Sequence, residues 1–355
     1  MIEDLFASTF GAAPTVTQHT PGRVNLIGSH TDYNGGMVLP TALPVGVTVA
    51  MRPVPDPVIR IHSAKFGETV TYALTDAARG HWADYAAGAV ALAHAEGLVA
   101  SGAELLIETT MADGAGISSS AALIVCILKA ARKLSHSPLS DTDIARLARR
   151  VENDYIGMPC GIMDQMAVAI ATTDTAMALN TENLDYELID LPPELRISVI
   201  HSGYSRKLSD GRYKIRKEEC DEAARLLGVD QLCLMTTQDA AQAAQLPPPL
   251  NRRARHLVRE HNRVLKAISY LKAHDFAQFG AMITESHMSL SQDFEISIPE
   301  IDALVADAVE LGALGARLTG GGFGGCIVAC THRSVFDDWL KALLEVQPKA
   351  RLICS

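Results

Sequence analysis

Residues 114–134, GAGISSSAALIVCILKAARKL, constrain the fold more than any other stretch of the chain. Gly114 and Gly116 permit a tight turn and let a ligand approach the backbone closely. Three serines follow, and apolar periodicity then predicts a helix over 120–134. A glycine turn that opens straight into a helix aims several unpaired N–H groups, and the positive end of the helix dipole, at one spot. That spot suits a phosphate. Serine hydroxyls there can add hydrogen bonds, or one hard oxygen ligand for Mg²⁺. An ordinary N-cap would account for one serine, whereas three in succession exceed what a cap needs. The junction is not a Walker A loop, because no G-K-[ST] occurs, and the H-R-D and D-F-G signatures of protein kinases are absent too.

Around this junction, strand-like runs occupy 45–51, 57–63, 68–74 and 104–110, with a helix predicted over 82–98. A further helix starts at Ser140, whose spacing to Asp143 suggests a capping box. Strands are expected at 175–180 and 195–202. Three prolines at 247–249 then interrupt the pattern, and a long basic amphipathic helix begins at Arg253. Without interleaved aromatics, that helix reads as a solvated Arg/Lys face over an apolar stripe and not as a nucleic-acid surface. The irregular alternation and early hairpin-like pairs suggest α+β layers, not a doubly wound parallel sheet. At 355 residues, about two domains are expected.

A formal charge of −10 argues against a general nucleic-acid binder. The acidic start, MIEDLFASTF, lacks a signal peptide's basic region, and no apolar run is long enough to span a membrane. Seven scattered cysteines without a C-x-x-C pair are expected to be free thiols in a reducing compartment. A cytoplasmic protein is the expectation.

Two more loops stand out. PGRVNLIGSHTDYNGG (21–36) is too polar for a buried strand and too dense in functional groups for an ordinary turn. TGGGFGG (319–325) satisfies G-x-G-x-x-G, but a strand-like run follows it where a dinucleotide fold needs a helix, so NAD binding is rejected. Its permissive backbone points to close approach to a ligand or to the other loops. Among the acids, a single carboxylate is usually a cap or a surface charge. Asp164 lies in apolar CGIMDQMA, where a carboxylate needs a partner, and Glu152 lies late on the helix that starts at Ser140.

These segments, in this order, resemble the galactokinase branch of the GHMP small-molecule kinases. PGRVNLIGSHTDYNGG is similar to the family's sugar signature, GAGISSSAAL to its phosphate-binding motif and LTGGGFGGC to its third motif; VENDYIGMPCGIMDQ and ESHMSLSQDFEISIPEID extend the likeness over nearly the whole chain. The resemblance implies an α+β, two-domain GHMP-kinase fold. A mixed-sheet N-terminal domain (1–190) would carry the sugar signature and phosphate loop, a ferredoxin-like α/β-layered C-terminal domain (191–355) would follow, and the active site would lie in the cleft between them. It further implies phosphoryl transfer from MgATP to the anomeric C1 hydroxyl of a galactose-like sugar, in a monomer or weak homodimer.

By the same resemblance, Asp164 would be the general base and Arg23 would neutralise charge between it and the γ-phosphate. Gly114, Ala115, Gly116, Ile117, Ser118 and Ser119 would wrap the phosphates, with Ser120 and Glu152 on Mg²⁺. His30, Asp32 and Tyr213 would hold sugar hydroxyls, Gly161 would add a backbone contact, and Ser29 would lie beside C6. Phosphoryl transfer needs positioning and charge neutralisation more than covalent help, and an Asp beside an Arg stays ionised and able to accept a proton.

Three positions leave the family pattern. Ser29 stands where a glutamate is expected to accept a hydrogen bond from the C6 hydroxyl, so it should leave space and remove a negative charge there. Arg212 and Asn180 each replace an expected acid. Galactose, bound at Ser29 through a water, therefore stands beside galacturonate or another C6-variant sugar as the expected substrate. A catalytically silent sugar and ATP sensor is a third reading, and it predicts loss of the base, the arginine or the serines, all of which are present.

Overall fold

The structure, a computed structural model, describes residues 1–112, 114–204, 211–235 and 237–355; Asp113 of the phosphate loop and residues 208–210 of the LSDGRYKIR segment lie outside them. In chain order, α1 (Ile2–Phe10) precedes β1 (Val16–Asn25), β2 (Met37–Val38), β3 (Pro40–Val54), β4 (Val58–Ser63) and β5 (Glu68–Ala73). Next come α2 (Asp84–Ala95), β6 (Gly102–Thr109), α3 (Ser119–Ser135), α4 (Asp141–Arg150), α5 (Met163–Ile170), β7 (Thr175–Asn180), β8 (Tyr186–Asp190) and β9 (Leu195–His201). A helical stretch follows, with α6 (Arg212–Leu227), α7 (Thr237–Ala243), α8 (Leu250–Lys272), α9 (Phe276–Gln292) and α10 (Pro299–Glu310). The chain closes with β10 (Gly315–Thr319), β11 (Cys326–His332), α11 (Phe336–Val346) and β12 (Arg351–Cys354). Two compact units form, one from 1–23, 43–111 and 118–170, the other from 24–42, 112–117 and 171–355.

In the first unit β3 runs antiparallel to β6, β6 parallel to β4, and β4 antiparallel to β5, which makes the sheet mixed. Helix α3 packs against α2, α4 and α5. Its buried residues, Ala121 through Ala131 with few gaps, lie on nearly every side, as a central helix requires. Helix α4 is amphipathic and begins with the expected capping box: Asp143 N–H donates to Ser140 Oγ at 3.1 Å, and Ser140 N–H to Asp143 at 3.0 Å. It ends in a single π-helical turn, Val151–Tyr155, an irregularity common at functional sites. One expectation fails here. Pro21–Asn25, judged too polar for a buried strand, completes β1, with Arg23 and Asn25 both buried. Partners make this possible, since Arg23 bonds Asp164 and Asn25 Nδ2 donates to Gly28 O at 3.0 Å.

The second unit holds an antiparallel sheet in the order β10-β11-β9-β12, a β-α-β-β-α-β arrangement of the ferredoxin-like kind. Ile200, Leu318, Ile327 and Ala329 from its strands share a core with Phe294, Leu304 and Trp339. Helix α9 approaches β10 so closely that a Cβ on Gly280 would lie 2.0 Å from Leu314 O, and one on Gly315 2.0 Å from Gly280 O. Helix α8 corrects a second expectation. Its inward stripe is not simply apolar, because Arg253, His256 and Glu260 are buried on it beside Ala254, Leu257 and Val264. Each meets polar partners there, so burial carries little of the usual penalty. Six of the seven cysteines are buried. Among the described residues no helix is long and apolar enough to cross a membrane.

Candidate active site

In the first unit, the end of β1, the start of α3, the π-helical turn and the first turn of α5 bring four chemically distinct groups together. Arg23 grips Asp164 with two donors, Nε to Oδ1 at 2.7 Å and Nη2 to Oδ2 at 2.5 Å. The pair is bidentate, the geometry that makes Arg–carboxylate contacts both strong and directional. Arg23 is 7% exposed and Asp164 32%, so the carboxylate is the member that solvent or a substrate can reach. Ser118 Oγ donates to the same Asp164 Oδ2. Ser118 is the residue before α3, yet its side chain makes no cap bond, and no acid stands in the first turn. The N–H groups at this end thus keep the positive pole that a phosphate would meet.

Glu152 lies on the π-helical turn, buried, with Ser120 Oγ donating to its Oε1 at 2.9 Å and Gln165 Nε2 donating to Oε2. Burial first, then the negative charge of Asp164, raises its pKa. Two carboxylates that sense each other, beside a serine hydroxyl, form a hard-oxygen donor set that a divalent cation would relieve. Among the described residues no three His, Cys, Asp or Glu side chains gather as a full metal cage, so phosphate oxygens would have to complete the coordination. Gly161 is buried just ahead of α5, in a turn tied by Cys160 N–H donating to Asn153 Oδ1 at 3.0 Å.

In the second unit the two glycine loops meet. A Cβ on Gly116 would stand 3.7 Å from Gly320 Cα, and one on Gly325 3.9 Å from Gly114 O. Gly114 and Gly116 take φ of 68° and 69°, which is why these positions favour glycine. Ala115 and Ile117 are buried as anchors while Gly114 stays exposed. The loop at 319–325 joins antiparallel β10 and β11, which bears out the rejection of a dinucleotide fold.

The sugar-signature loop lies in the second unit from Val24 on. Thr31 Oγ1 donates to Gly28 O and Met37 O, both at 2.9 Å, and Asn34 Nδ2 to His30 O at 2.8 Å. These bonds hold His30 at φ 64°, in the left-handed region. His30 packs on Phe294, ring centroids 4.5 Å apart, and on Tyr213 at 5.3 Å, and its Nδ1 is 2.7 Å from Tyr33 Oη. Burial pushes its pKa down to about 3, so the ring is neutral near pH 7. Asp32 and Tyr213 are half-buried.

Ser29 does not sit in the space expected of it. A buried arginine, Arg317 of β10, donates to its Oγ, and a buried carboxylate, Glu260 of α8, accepts from the Gly28 and Ser29 N–H groups at 3.0 and 3.3 Å. His256 Nε2 lies 3.2 Å from Ser29 O. Arg212 also has a place, its guanidinium 3.9 Å from the Phe323 ring centre. Asn180 caps the β7–β8 turn, its Oδ1 accepting from Glu182 N–H at 3.0 Å.

Sequence reasoning missed Gln165, His256, Glu260 and Arg317. For the α8 pair a signal existed: residues 253, 256 and 260 share one helical face at spacings of three and four, and each is polar where the stripe should be apolar.

Comparisons with known proteins agree with this arrangement. A galactokinase galactose-binding signature matches residues 4–53, the GHMP kinases N terminal domain 83–172 and the GHMP kinases C terminal model 267–343. A galactokinase of Roseiflexus sp. is 39% identical over 97% of this chain and 90% of its own length, and one of Chloroflexus aggregans 37% over 96% and 90%. The crystal structure of Lactococcus lactis galactokinase complexed with galactose superposes with a TM-score of 0.92 at 29% identity, covering 99% of this chain and 97% of that one. The Methanococcus jannaschii mevalonate kinase, at 17% identity and a TM-score of 0.69, shares the fold over 95% of this chain and 96% of its own. The chain belongs to the galactokinase family of the GHMP kinases.

Proposed function

We propose that the protein transfers the γ-phosphoryl group of ATP to the C1 hydroxyl of galactose, giving galactose 1-phosphate and ADP. The observation that carries this reading is the bidentate Arg23–Asp164 pair bonded to Ser118 at the α3 N-terminus, which couples a base, a cation and a phosphate-ready helix end. Asp164 takes the C1 proton as that oxygen forms its bond to the γ-phosphorus and the bond to the ADP oxygen breaks. Arg23 offsets charge between carboxylate and phosphate. Backbone N–H groups of Gly114, Ala115, Gly116, Ile117, Ser118 and Ser119 hold the phosphates. Ser29, His30, Asp32, Tyr213 and the Gly161 backbone hold the sugar.

Ser120 and Glu152 fit Mg²⁺, which when bound would neutralise phosphate oxygens. The division at 190/191 into an N-terminal and a C-terminal domain belongs to the same proposal, supported by family models on either side of it. A cytoplasmic enzyme, a monomer or weak homodimer, goes with it.

Galactokinase relatives weigh for galactose over galacturonate or another C6-variant sugar. The intact set of Arg23, Asp164, Glu152 and Ser118–Ser120 weighs against a silent sensor. Sugar-dependent ADP release with MgATP on galactose, galacturonate, N-acetylgalactosamine and L-arabinose tests the reading. Galactose should lead by orders of magnitude; a different leading sugar would overturn the substrate, and no turnover of any would overturn the reaction.

A further inference from the structure

Phe323 is the one side chain between Gly320 and Gly325, because residues 320–322, 324 and 325 are all glycine. Gly320, Gly322, Gly324 and Gly325 take φ of 78°, 81°, 120° and 87°, and Phe323 itself takes 63°. A left-handed φ is costly for a bulky side chain and persists where surrounding contacts over-determine it. Such contacts surround Phe323. Its N–H donates to Ile296 O at 2.7 Å, and Gly322 approaches so closely that a Cβ there would lie 2.7 Å from the same oxygen. Gly325 N–H donates to Tyr204 O at 2.8 Å, and Gly325 O accepts from Ser202 N–H and Oγ, both at 2.9 Å. The ring meets two cations of α6, with the Arg212 guanidinium 3.9 Å from its centre and that of Arg216 5.8 Å away. Arg216 is committed elsewhere, its Nε donating to Phe294 O at 2.8 Å and its Nη2 to Glu295 O at 3.0 Å. Arg212 is therefore the closer clamp on the ring.

The glycines on either side of Phe323 are the ones that meet the phosphate loop. Gly320 Cα would lie 3.7 Å from a Cβ on Gly116, and Gly114 O 3.9 Å from a Cβ on Gly325. Glycines offer no side chain by which such a loop can be fixed and have the most backbone freedom to lose. The Phe323 ring is the handle that restrains them. The next residue along α6 points to a different loop, since Tyr213 packs on His30 at 5.3 Å and on Tyr33 at 6.0 Å. Neighbours in one helical turn thus serve the glycine loop and the sugar signature separately.

We propose that Arg212 is a positioning residue for the nucleotide: acting through the Phe323 ring, its guanidinium holds the 319–325 loop against residues 114–117. The proposal rests on the reading above that 114–119 hold the phosphates. The clamp depends on the sign of the charge. A cation is attracted to the negative face of the ring, and a carboxylate at 212 would be repelled by it.

The test measures calorimetric binding of the non-hydrolysable ATP analogue AMPPNP with Mg²⁺, the KM for MgATP and for galactose, and Tm. Arg212→Gln should weaken MgAMPPNP and raise the MgATP KM roughly 3- to 10-fold, the scale of one partly shielded cation–π contact, with the galactose KM and Tm unmoved. Arg212→Lys keeps a cation and should recover most of the affinity, whereas Arg212→Glu should lose more than Arg212→Gln. Phe323→Leu should weaken MgAMPPNP by a similar factor, and adding Arg212→Gln to it should cost nothing further. Unchanged MgAMPPNP affinity in Arg212→Gln would overturn the proposal. So would a lowered Tm with both KM values shifted together, the mark of a merely structural residue, or full additivity of the two changes. If Arg212→Gln does not fold, unchanged MgAMPPNP affinity in Phe323→Leu overturns it alone. Any of these results beside intact wild-type turnover sinks this inference only, whereas a wild type that does not bind MgAMPPNP sinks the phosphate-loop reading and this one with it.

Discussion

Around Asp164 the neighbours are an arginine from the sugar signature and a serine from the glycine-rich loop, both bonded to it, and a glutamate in the π-helical turn after a capped helix, which senses its charge. Around Ser29 the partners are Glu260, His256 and Arg317, buried members of a helix and a strand more than two hundred residues along the chain. The first group is assembled from its own functional side chains and leaves a third of its carboxylate exposed, at 32%. The second is a polar cradle with its charged members at 0% exposure. A base proposed to take a proton needs a reachable atom, whereas a buried turn needs partners for its polar groups. The contrast teaches that the carboxylate proposed to react is held by its neighbours in the same cluster, while the backbone turn at Ser29 is held by the core.

The sharpest break in this contrast is Asp164→Asn. Loss of the base should lower kcat by ~10²–10⁴-fold while ATP binding, read by calorimetry, persists. Near-wild-type turnover would remove Asp164 from the first group altogether. Next in size is Glu260→Ala. It removes the carboxylate that faces buried Arg317 and half-buried Arg263, which should cost about 3–5 kcal/mol in urea unfolding and leave the MgATP affinity of the folded fraction unchanged. A loss under 1 kcal/mol would mean that the cradle is not built on that charge.

Much of the first group is legible in sequence for a physical reason. A phosphate loop demands glycines and hydroxyls at fixed short spacings ahead of a helix, and Gly114 through Ser120 show that pattern directly, whereas the roles proposed for Arg23 and Asp164 came from the family resemblance. The strands at 175–180 and 195–201 and the α3 core helix are equally plain, because periodicity alone specifies them. Ser29 could be marked as a departure, but the answer to it could not be read. Arg317 precedes a glycine motif that drew attention to itself, and Glu260 sat in a helix read as basic and solvated. Their roles arise only when β10 and α8 converge on one backbone turn, a long-range pairing that no local pattern encodes. The same holds for Arg23 and Asn25, whose polarity argued against a strand until the partners that permit their burial were known.

Acid should reach the second group first. His30 and His256 have pKa values lowered from 6.5 to about 3 and about 4, so the unfolded chain binds more protons below pH 6.5. Their neutral burial stabilises the fold above pH 6.5, and that stability is lost progressively down to about pH 4 and below. Glu260, depressed to about 2 from 4.5, adds stability present above 4.5 that falls away only toward pH 2. Tm measured from pH 7 to pH 4 should therefore drop, and His256→Gln should flatten the slope. A flat wild-type profile would contradict neutral buried histidines. Smallest in the series is Ser120→Ala, which should weaken the apparent Mg²⁺ dependence of turnover by roughly 10-fold and leave the galactose KM alone. An unchanged Mg²⁺ titration would return Ser120 to a helix-start role.

The most direct test is ³¹P NMR of the reaction product from galactose and MgATP, run with wild type and Arg23→Ala side by side. Wild type should give galactose 1-phosphate as the sole sugar phosphate, with one ADP formed for each, and Arg23→Ala should give none although it still binds ATP. A phosphate on any other hydroxyl, or galactose 1-phosphate from Arg23→Ala at the wild-type rate, would contradict transfer at the Arg23–Asp164 pair.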